Sequence, residues 1–327
     1  MTVLVTGVAG YIASICAELL VKSGYTVIGL DNLSEGHRAA VPKEVKFFEC
    51  DLKDAAALDK VFDSAPIDAV MHFAAAALVG ESVRDPSKYY RMNVAYVILL
   101  LDAMTRHGVK NFVLSSTAAT YGEPKSTPIR EDHLTAPINP YGRSKLLAER
   151  VLAEYREWTG LNYVCLRYFN VAGASAERGE HHRHETHVIP LIFEAALALR
   201  PHFEIHGGDY PTPDGTCIRD YVHVLDLAEA HIVALRNIER FSGQAFNLGT
   251  SHGCSVKELV ETVERVTGRK VPSKIGPRRP GDPAVLVASW EKFQRESGWQ
   301  PRYSDLETIV RTAWEWKQKH PEGYGKN

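Results

Sequence analysis

In the stretch PYGRSK, Tyr141 and Lys145 stand four residues apart at the start of a helical pattern, and so on one helix face. A phenol with a reference pKa of about 10 is a poor base near neutrality, and a neighbouring ammonium makes its phenolate accessible. Such a pair can take the proton of a hydroxyl while hydride leaves the carbon that bears it. A hydroxyl at the end of an apolar run, in LSSTAATYG, would complete the set. Thr117 is placed to bind the oxygen that loses its proton, with Ser115 and Ser116 beside it. Hydride needs an acceptor, and the opening MTVLVTGVAGYIASI supplies a place for one. A β-branched run at 2–6 passes through Gly7 and Gly10 into a helical pattern, which turns backbone N–H groups and a helix N-terminus towards a pyrophosphate. Gly7 permits the tight turn, Gly10 a close approach of backbone to phosphate, and Ala13 close packing of helix on strand. Asp31 follows Gly7 by 24 residues, at the end of the second apolar run. A carboxylate there accepts from adenosine ribose hydroxyls and repels a 2′-phosphate, which points to NAD rather than NADP. Its positively charged nicotinamide, with Lys145, would lower the Tyr141 phenol further, and Lys145 can also hold the nicotinamide ribose.

These groups need a scaffold that brings strand ends together. Strands are expected at 2–6, 25–30, 45–49, 68–73, 111–115 and 162–167, and helices at about 11–23, 54–64, 87–107 and 141–158. Continuous apolar strands alternating with helices predict an α/β chain with a Rossmann-type doubly wound parallel sheet and ligand at the carboxyl ends of its strands. Past about residue 172 the alternation weakens. The polar stretch SAERGEHHRHETH (175–187) precedes a helix near 189–199, and 207–217 is rich in turn residues. Helices at 225–238, 255–267, 290–297 and 304–319 and a strand at 245–249 complete a smaller α/β lobe that returns once to the first. The division expected is therefore 1–171 and 172–327, with a segment near 220–250 rejoining the first part.

Composition narrows the partners. The 327 residues carry a net charge of −2, with 45% hydrophobic and 24% charged, which gives no electrostatic case for nucleic acid or an anionic membrane. Cys16, Cys50, Cys165, Cys217 and Cys254 are widely spaced and suggest neither a disulfide framework nor a zinc module. No apolar run reaches the length of a membrane span and no signal-type segment precedes the first strand, so a cytoplasmic protein is expected. His181, His182, His184 and His187 lie in a polar loop without helical i, i+4 framing by carboxylates, so no metal is expected there.

The motifs TGxxGYI, LDNLSEG, VMHFAA, SSTAATYG, NPYGRSK, LRYFNVAGA, GGDYPTPDGTCIRDYVHVLDLA, FNLGT and PRRPGD come in the order found in the extended short-chain dehydrogenase/reductase family. Over nearly its whole length the chain resembles that family's UDP-glucose (UDP-galactose) 4-epimerase branch, and DYPTPDGTxxRDYVHV is the most specific match. The resemblance implies an NAD-binding domain followed by a UDP-sugar-binding one. It implies interconversion of UDP-glucose and UDP-galactose through a transient 4-keto sugar, with Thr117, Tyr141 and Lys145 as the catalytic set. It assigns Gly7, Gly10, Tyr11 and Ile12 to the pyrophosphate, Asp31 and Asn32 to the adenosine ribose, and Asp51 and Leu52 to the adenine. Phe73, Ala74 and Asn93 would line the cofactor path, and Tyr168 its nicotinamide end. Asn170, Arg219, Arg279 and Asp282 match residues that hold uridine diphosphate, and His187 matches a variant near the nucleotide. Leu286 falls beside the sugar, and its intermediate bulk implies some UDP-GlcNAc/UDP-GalNAc interconversion. Helices 87–107 and 141–158 pair into a four-helix interface in related proteins, which implies a homodimer. Val8, Ala13 and Ile15 replace two glycines and a histidine of the family pattern, and Ala76, Ala77 and Tyr96 also depart from it. A UDP-pentose or UDP-uronate epimerase and a non-catalytic NAD-sensing module are the competing readings. Ala118 and Ala119 argue against a dehydratase, which needs an acidic residue beside Thr117.

Overall fold

The computed structural model describes residues 1–279 and 282–325, so Pro280 and Gly281 of PRRPGD lie outside the described residues. The first half runs β1 (Thr2–Thr6), α1 (Tyr11–Lys22), β2 (Thr26–Asp31), β3 (Lys46–Glu49), α2 (Ala55–Asp63), β4 (Ala69–His72), α3 (Val79–Arg84), α4 (Pro86–Tyr90), α5 (Tyr96–Arg106), β5 (Asn111–Thr117), α6 (Pro140–Thr159) and β6 (Asn162–Tyr168). The second half runs β7 (Asn170–Ala172), α7 (Val188–Ala196), β8 (Phe203–His206), β9 (Ile218–His223), α8 (Val224–Arg236), β10 (Gln244–Leu248), β11 (Gly253–Ser255), α9 (Val256–Thr267), β12 (Ser273–Gly276), β13 (Val285–Leu286), α10 (Glu291–Ser297) and α11 (Leu306–Lys319).

Seven strands form one sheet in the order β10-β6-β5-β4-β1-β2-β3, every pair parallel. Both faces are covered, which is why the strands read as unbroken apolar runs. Successive side chains of β1 alternate between the two layers. Val3 and Val5 join a core with Cys16 and Leu20 of α1 and Leu227 of α8, while Leu4 joins one with Leu58, Leu100 and Leu152 of α2, α5 and α6. The strand order reverses beside β1, so the carboxyl ends of β1, β2, β4, β5 and β6 open onto one crevice. This is the Rossmann-type doubly wound arrangement expected.

The smaller part holds a four-stranded sheet in which β9 pairs with β11, β13 and β7, and a two-stranded sheet of β8 and β12. A third apolar core beneath it joins α7, α9 and α11. The return to the main sheet is made by α8, packed on α1, and by β10, which extends the sheet beyond β6. None of the described helices is long and apolar enough to cross a membrane.

Two local differences from expectation have clear causes. The helix expected at 87–107 is broken into α4, a wider π turn at Arg91–Ala95, and α5, with the short α3 preceding it. Asp85 accepts from the Lys88 N–H and Pro86 opens a new first turn, so α4 starts afresh there. The strand β9 follows directly on the turn-rich 207–217 stretch and was not expected. It is central in its sheet, but its partners β7, β11 and β13 are only two or three residues long and leave little trace in a sequence pattern.

Candidate active site

The crevice is a cavity of about 890 Å³. On one side lies the glycine turn between β1 and α1. Gly7 has φ +73°, and a Cβ there would come within 2.7 Å of the Ala74 nitrogen at the end of β4. Gly10 precedes α1 without a side-chain cap, leaving the first N–H groups of that helix to the cavity. Asp31, at the end of β2, accepts from the N–H groups of Ala9 (3.0 Å) and Leu33 (2.8 Å). Burial pushes its carboxyl up, and those two N–H groups pull against it. The Asn32 amide donates to Asp51 at 3.1 Å, linking the ends of β2 and β3.

On the other side, Asn139 caps α6 by accepting from the Gly142 N–H at 2.8 Å, and Pro140 fills the first turn. Tyr141 and Lys145 thereby sit one turn apart at the start of a 20-residue helix, against the end of β5. The Lys145 ammonium donates to the Ser115 carbonyl at 2.8 Å and is 3% exposed. Its burial lowers it to about 8, against the pull of Glu149. The Tyr141 phenol is pushed up by burial, and a hydrogen bond with Thr117 opposes that shift. Lys145 is thus held one turn from Tyr141 by the Ser115 carbonyl, while Thr117 is the group bonded to the phenol. Tyr168 and Ser115 bond through their hydroxyls, which ties β6 to β5.

Gly7, Gly10, Tyr11, Ile12, Asp31, Asn32, Asp51, Leu52, Phe73, Ala74, Thr117, Tyr141, Lys145, Tyr168, Asn170 and His187 all border this one cavity. Asn93 does not. It is 1% exposed in the π turn, where its amide binds the Ala76 N–H and carbonyl (both 2.9 Å) and the Ser144 hydroxyl (3.0 Å). It fastens the loop after β4 to α6 rather than facing the cavity. Arg219, Arg279, Asp282 and Leu286 lie further out. Arg219 pairs with Asp282, and Leu286 on β13 stands opposite Arg219 in register. Arg219 shares a face of β9 with Tyr221, which borders the cavity, while Arg279 is exposed. Val8 and Ile15, two of the departures from the family pattern, are fully buried apolar packing, while Ala13, Ala76, Ala77 and Tyr96 form part of the cavity wall.

Some contributors carried no signal in the sequence. The Tyr89 ring meets Tyr141 edge-on at 6.2 Å, while its hydroxyl bonds Glu81 at 2.9 Å. Behind the site, Arg167 of β6 makes two bonds to Glu149 of α6 (3.0 and 2.5 Å), and Ser116 of β5 donates to the same carboxylate at 2.5 Å. The 178–187 loop also forms part of the cavity wall. Its histidines have no helical framing, as expected, but carboxylates of the loop itself, Glu180 and Glu185, meet His182 and His187. Burial alone would depress His187, but the two carboxylates raise it to about 9.

A model of the NAD dependent epimerase/dehydratase family matches residues 3–249. The UDP-glucose 4-epimerase of Halalkalibacterium halodurans is 50% identical over 328 residues, covering 99% of this chain and 98% of its own. A crystal structure of UDP-glucose 4-epimerase superposes with a TM-score of 0.97 at 46% identity, over 100% of both chains. The UDP-glucose 4-epimerase from Brucella ovis in complex with NAD gives a TM-score of 0.92 at 48% identity, over 95% of this chain and 97% of that one.

Proposed function

The chain belongs to the NAD dependent epimerase/dehydratase family, and from that premise we propose that it is an enzyme interconverting UDP-glucose and UDP-galactose through a transient 4-keto sugar. One observation carries the reading at the level of chemistry. The Tyr141 phenol, bonded to Thr117, shares a single cavity with the glycine turn and Asp31.

The residues present suit NAD. Gly7 and Gly10 leave backbone and the start of α1 open for a pyrophosphate, and Asp31 with Asn32 offers polar groups for adenosine ribose hydroxyls. Asp51 and Leu52 would flank the adenine, Tyr11 and Ile12 the pyrophosphate, Phe73 and Ala74 the path between, and Tyr168 the nicotinamide end. When bound, NAD supplies the acceptor and donor of hydride at C4. Asp31 is the group that disfavours a 2′-phosphate.

Tyr141 Oη takes the proton from the sugar 4-hydroxyl and later returns it. The Thr117 hydroxyl holds the same sugar oxygen and, through its bond with Tyr141, steadies the phenolate that takes the proton. Lys145, cationic below about pH 8, keeps a positive charge one helical turn away. Arg219 and Arg279 hold the diphosphate, Asp282 and Asn170 the nucleoside, and His187 the nucleotide from the loop side. Firm binding of the charged part and a looser grip on the hexose let the keto sugar present both faces without escaping. Leu286, half-buried beside Arg219, is of intermediate bulk, and on that ground UDP-GalNAc is proposed as a further substrate.

The enzyme works as a cytoplasmic homodimer. Val83, Tyr90, Leu147 and Trp158 on α3, α4 and α6 are exposed apolar side chains that pairing of these helices would cover. All five cysteines are free, as a reducing compartment requires. Incubation of the protein and NAD with UDP-galactose, with UDP-glucose read by a coupled dehydrogenase, tests the activity. Appearance of UDP-glucose is expected. Its absence with NAD in excess would overturn the reading, and light scattering of the eluted protein tests the dimer separately.

A further inference from the structure

We infer that Glu180, His182, Glu185 and His187 form a binding site for one divalent cation of the zinc class, built into the loop that walls the cavity. Each residue offers one ligand atom, and the four atoms lie within 4.8 Å of one another. Three of their separations are already those of a metal's coordination edge. His182 Nε2 is 3.1 Å from Glu180 Oε1, and His187 Nδ1 is 3.3 Å from Glu180 Oε1 and 2.9 Å from Glu185 Oε1. A tetrahedral site with bonds near 2.0–2.1 Å needs ligand atoms about 3.3 Å apart. The widest pair must close by about 1.5 Å to reach that value, a movement within reach of side-chain rotation in a loop.

The donor set selects the class. Two imidazole nitrogens and two carboxylate oxygens, with no thiolate, suit Zn²⁺, Co²⁺ or Ni²⁺. Calcium and magnesium want all-oxygen shells, and copper(I) wants sulfur. Supporting contacts orient the ligands. The Glu185 carboxylate accepts from the N–H groups of Thr186 (2.9 Å) and His187 (2.7 Å), and the imidazoles of His182 and His187 face each other at 4.4 Å. The histidine-rich loop therefore does not present its rings at random. His181 stacks on His37 at 4.4 Å and stays outside the set.

The position gives the cation a consequence. His182 meets the edge of Tyr11 on the phosphate turn at 6.4 Å, and Arg183 reaches back to the Leu33 carbonyl at 3.2 Å. The Tyr324 hydroxyl receives the Gly179 N–H at 3.1 Å, and α7 starts at Val188, directly after His187. A cation joining residues 180 to 187 would staple the cavity wall between two anchored ends.

The test uses the purified full-length protein, stripped with a chelator and titrated with Zn²⁺ against a chromophoric competitor. Saturable uptake of one Zn²⁺ per chain is expected, with a rise in the thermal unfolding midpoint. Co²⁺ in place of Zn²⁺ should give the visible absorption of a tetrahedral site. The pair His182→Ala and His187→Ala should weaken binding at least about tenfold and remove the thermal shift, while His184→Ala leaves both in place. Glu180→Gln, which keeps the loop's shape, gives a second variant with the same expectation as the pair. Absence of saturable uptake by the wild-type chain would overturn the site. So would uptake that survives His182→Ala with His187→Ala, or that falls equally in His184→Ala. All these readouts are independent of catalysis, so failure of the metal site and failure of the epimerase reading are told apart.

Discussion

Tyr141 is asked to lose a proton in surroundings that favour keeping it, since burial pushes its phenol up and the Thr117 hydroxyl pulls it down. Because the working form is the deprotonated one, activity rises with pH through the phenol's titration. Thr117→Val removes the opposing bond, so the acidic limb of kcat should move to higher pH, while Thr117→Ser keeps it in place. A pH–rate profile of the three proteins checks this. Tyr141→Phe removes the base and should cut kcat by roughly 10²–10⁴, with NAD content after purification unchanged. At this scale the sequence was most informative where spacing dictates geometry. Four residues on a helix put Tyr141 and Lys145 together whatever surrounds them, and Gly7 is required by its turn. Asn93 was opaque for the opposite reason, and so was the pairing of Arg219 with Asp282. The partner each side chain meets lies 17 or 63 residues away in the chain, which no local pattern records.

At the scale of elements, α6 must hold Tyr141 and Lys145 at a fixed height above β5, and the Glu149–Arg167 pair does much of that holding. Both side chains are 8% exposed, so their mutual attraction is weakly screened and neither can be left alone cheaply. Arg167→Leu strands the Glu149 carboxylate and should cost about 3–5 kcal/mol in urea unfolding. The double change Glu149→Leu with Arg167→Leu should recover most of that loss, and a double change as damaging as the single one would show that packing, not charge, joins α6 to β6. The strands of the main sheet could be read from unbroken apolar runs because both of their faces are covered. The break between α4 and α5 could not be placed, because the π turn at Arg91–Ala95 is shaped by the contacts of Asn93 with Ala76 and Ser144. The short strands around β9 escaped because pieces of two or three residues show no period.

At the scale of the whole molecule, three imidazoles are held neutral inside different layers: His72 at the end of β4, His223 at the end of β9 and His231 on α8. Burial lowers the first to about 3 and the other two to about 4, from an ordinary value of 6.5. His72 bonds Thr6 at 2.8 Å and His223 bonds Thr312 at 2.9 Å, so each ring joins two elements while uncharged. Unfolding releases these rings to water, where they take up protons below about pH 6.5, whereas the folded chain takes them up only near pH 3 to 4. The unfolded state therefore binds more protons across that window, and stability falls as pH falls through it. Each ring contributes a slope of at most about 1.4 kcal/mol per pH unit. His231 isolates one such contribution. Its Nδ1 bonds only the Leu227 carbonyl one turn back on α8, and its ring rests on Phe73 at 4.8 Å, so leucine can fill the same apolar site. Between pH 6.5 and 4, the stability of His231→Leu relative to the wild type should shift in the variant's favour by up to about 1.4 kcal/mol for each unit of acidification. Urea unfolding of both proteins at pH 7.5, 6 and 5 measures that difference, and a difference that stays constant with pH would mean that His231 is not held neutral in the fold.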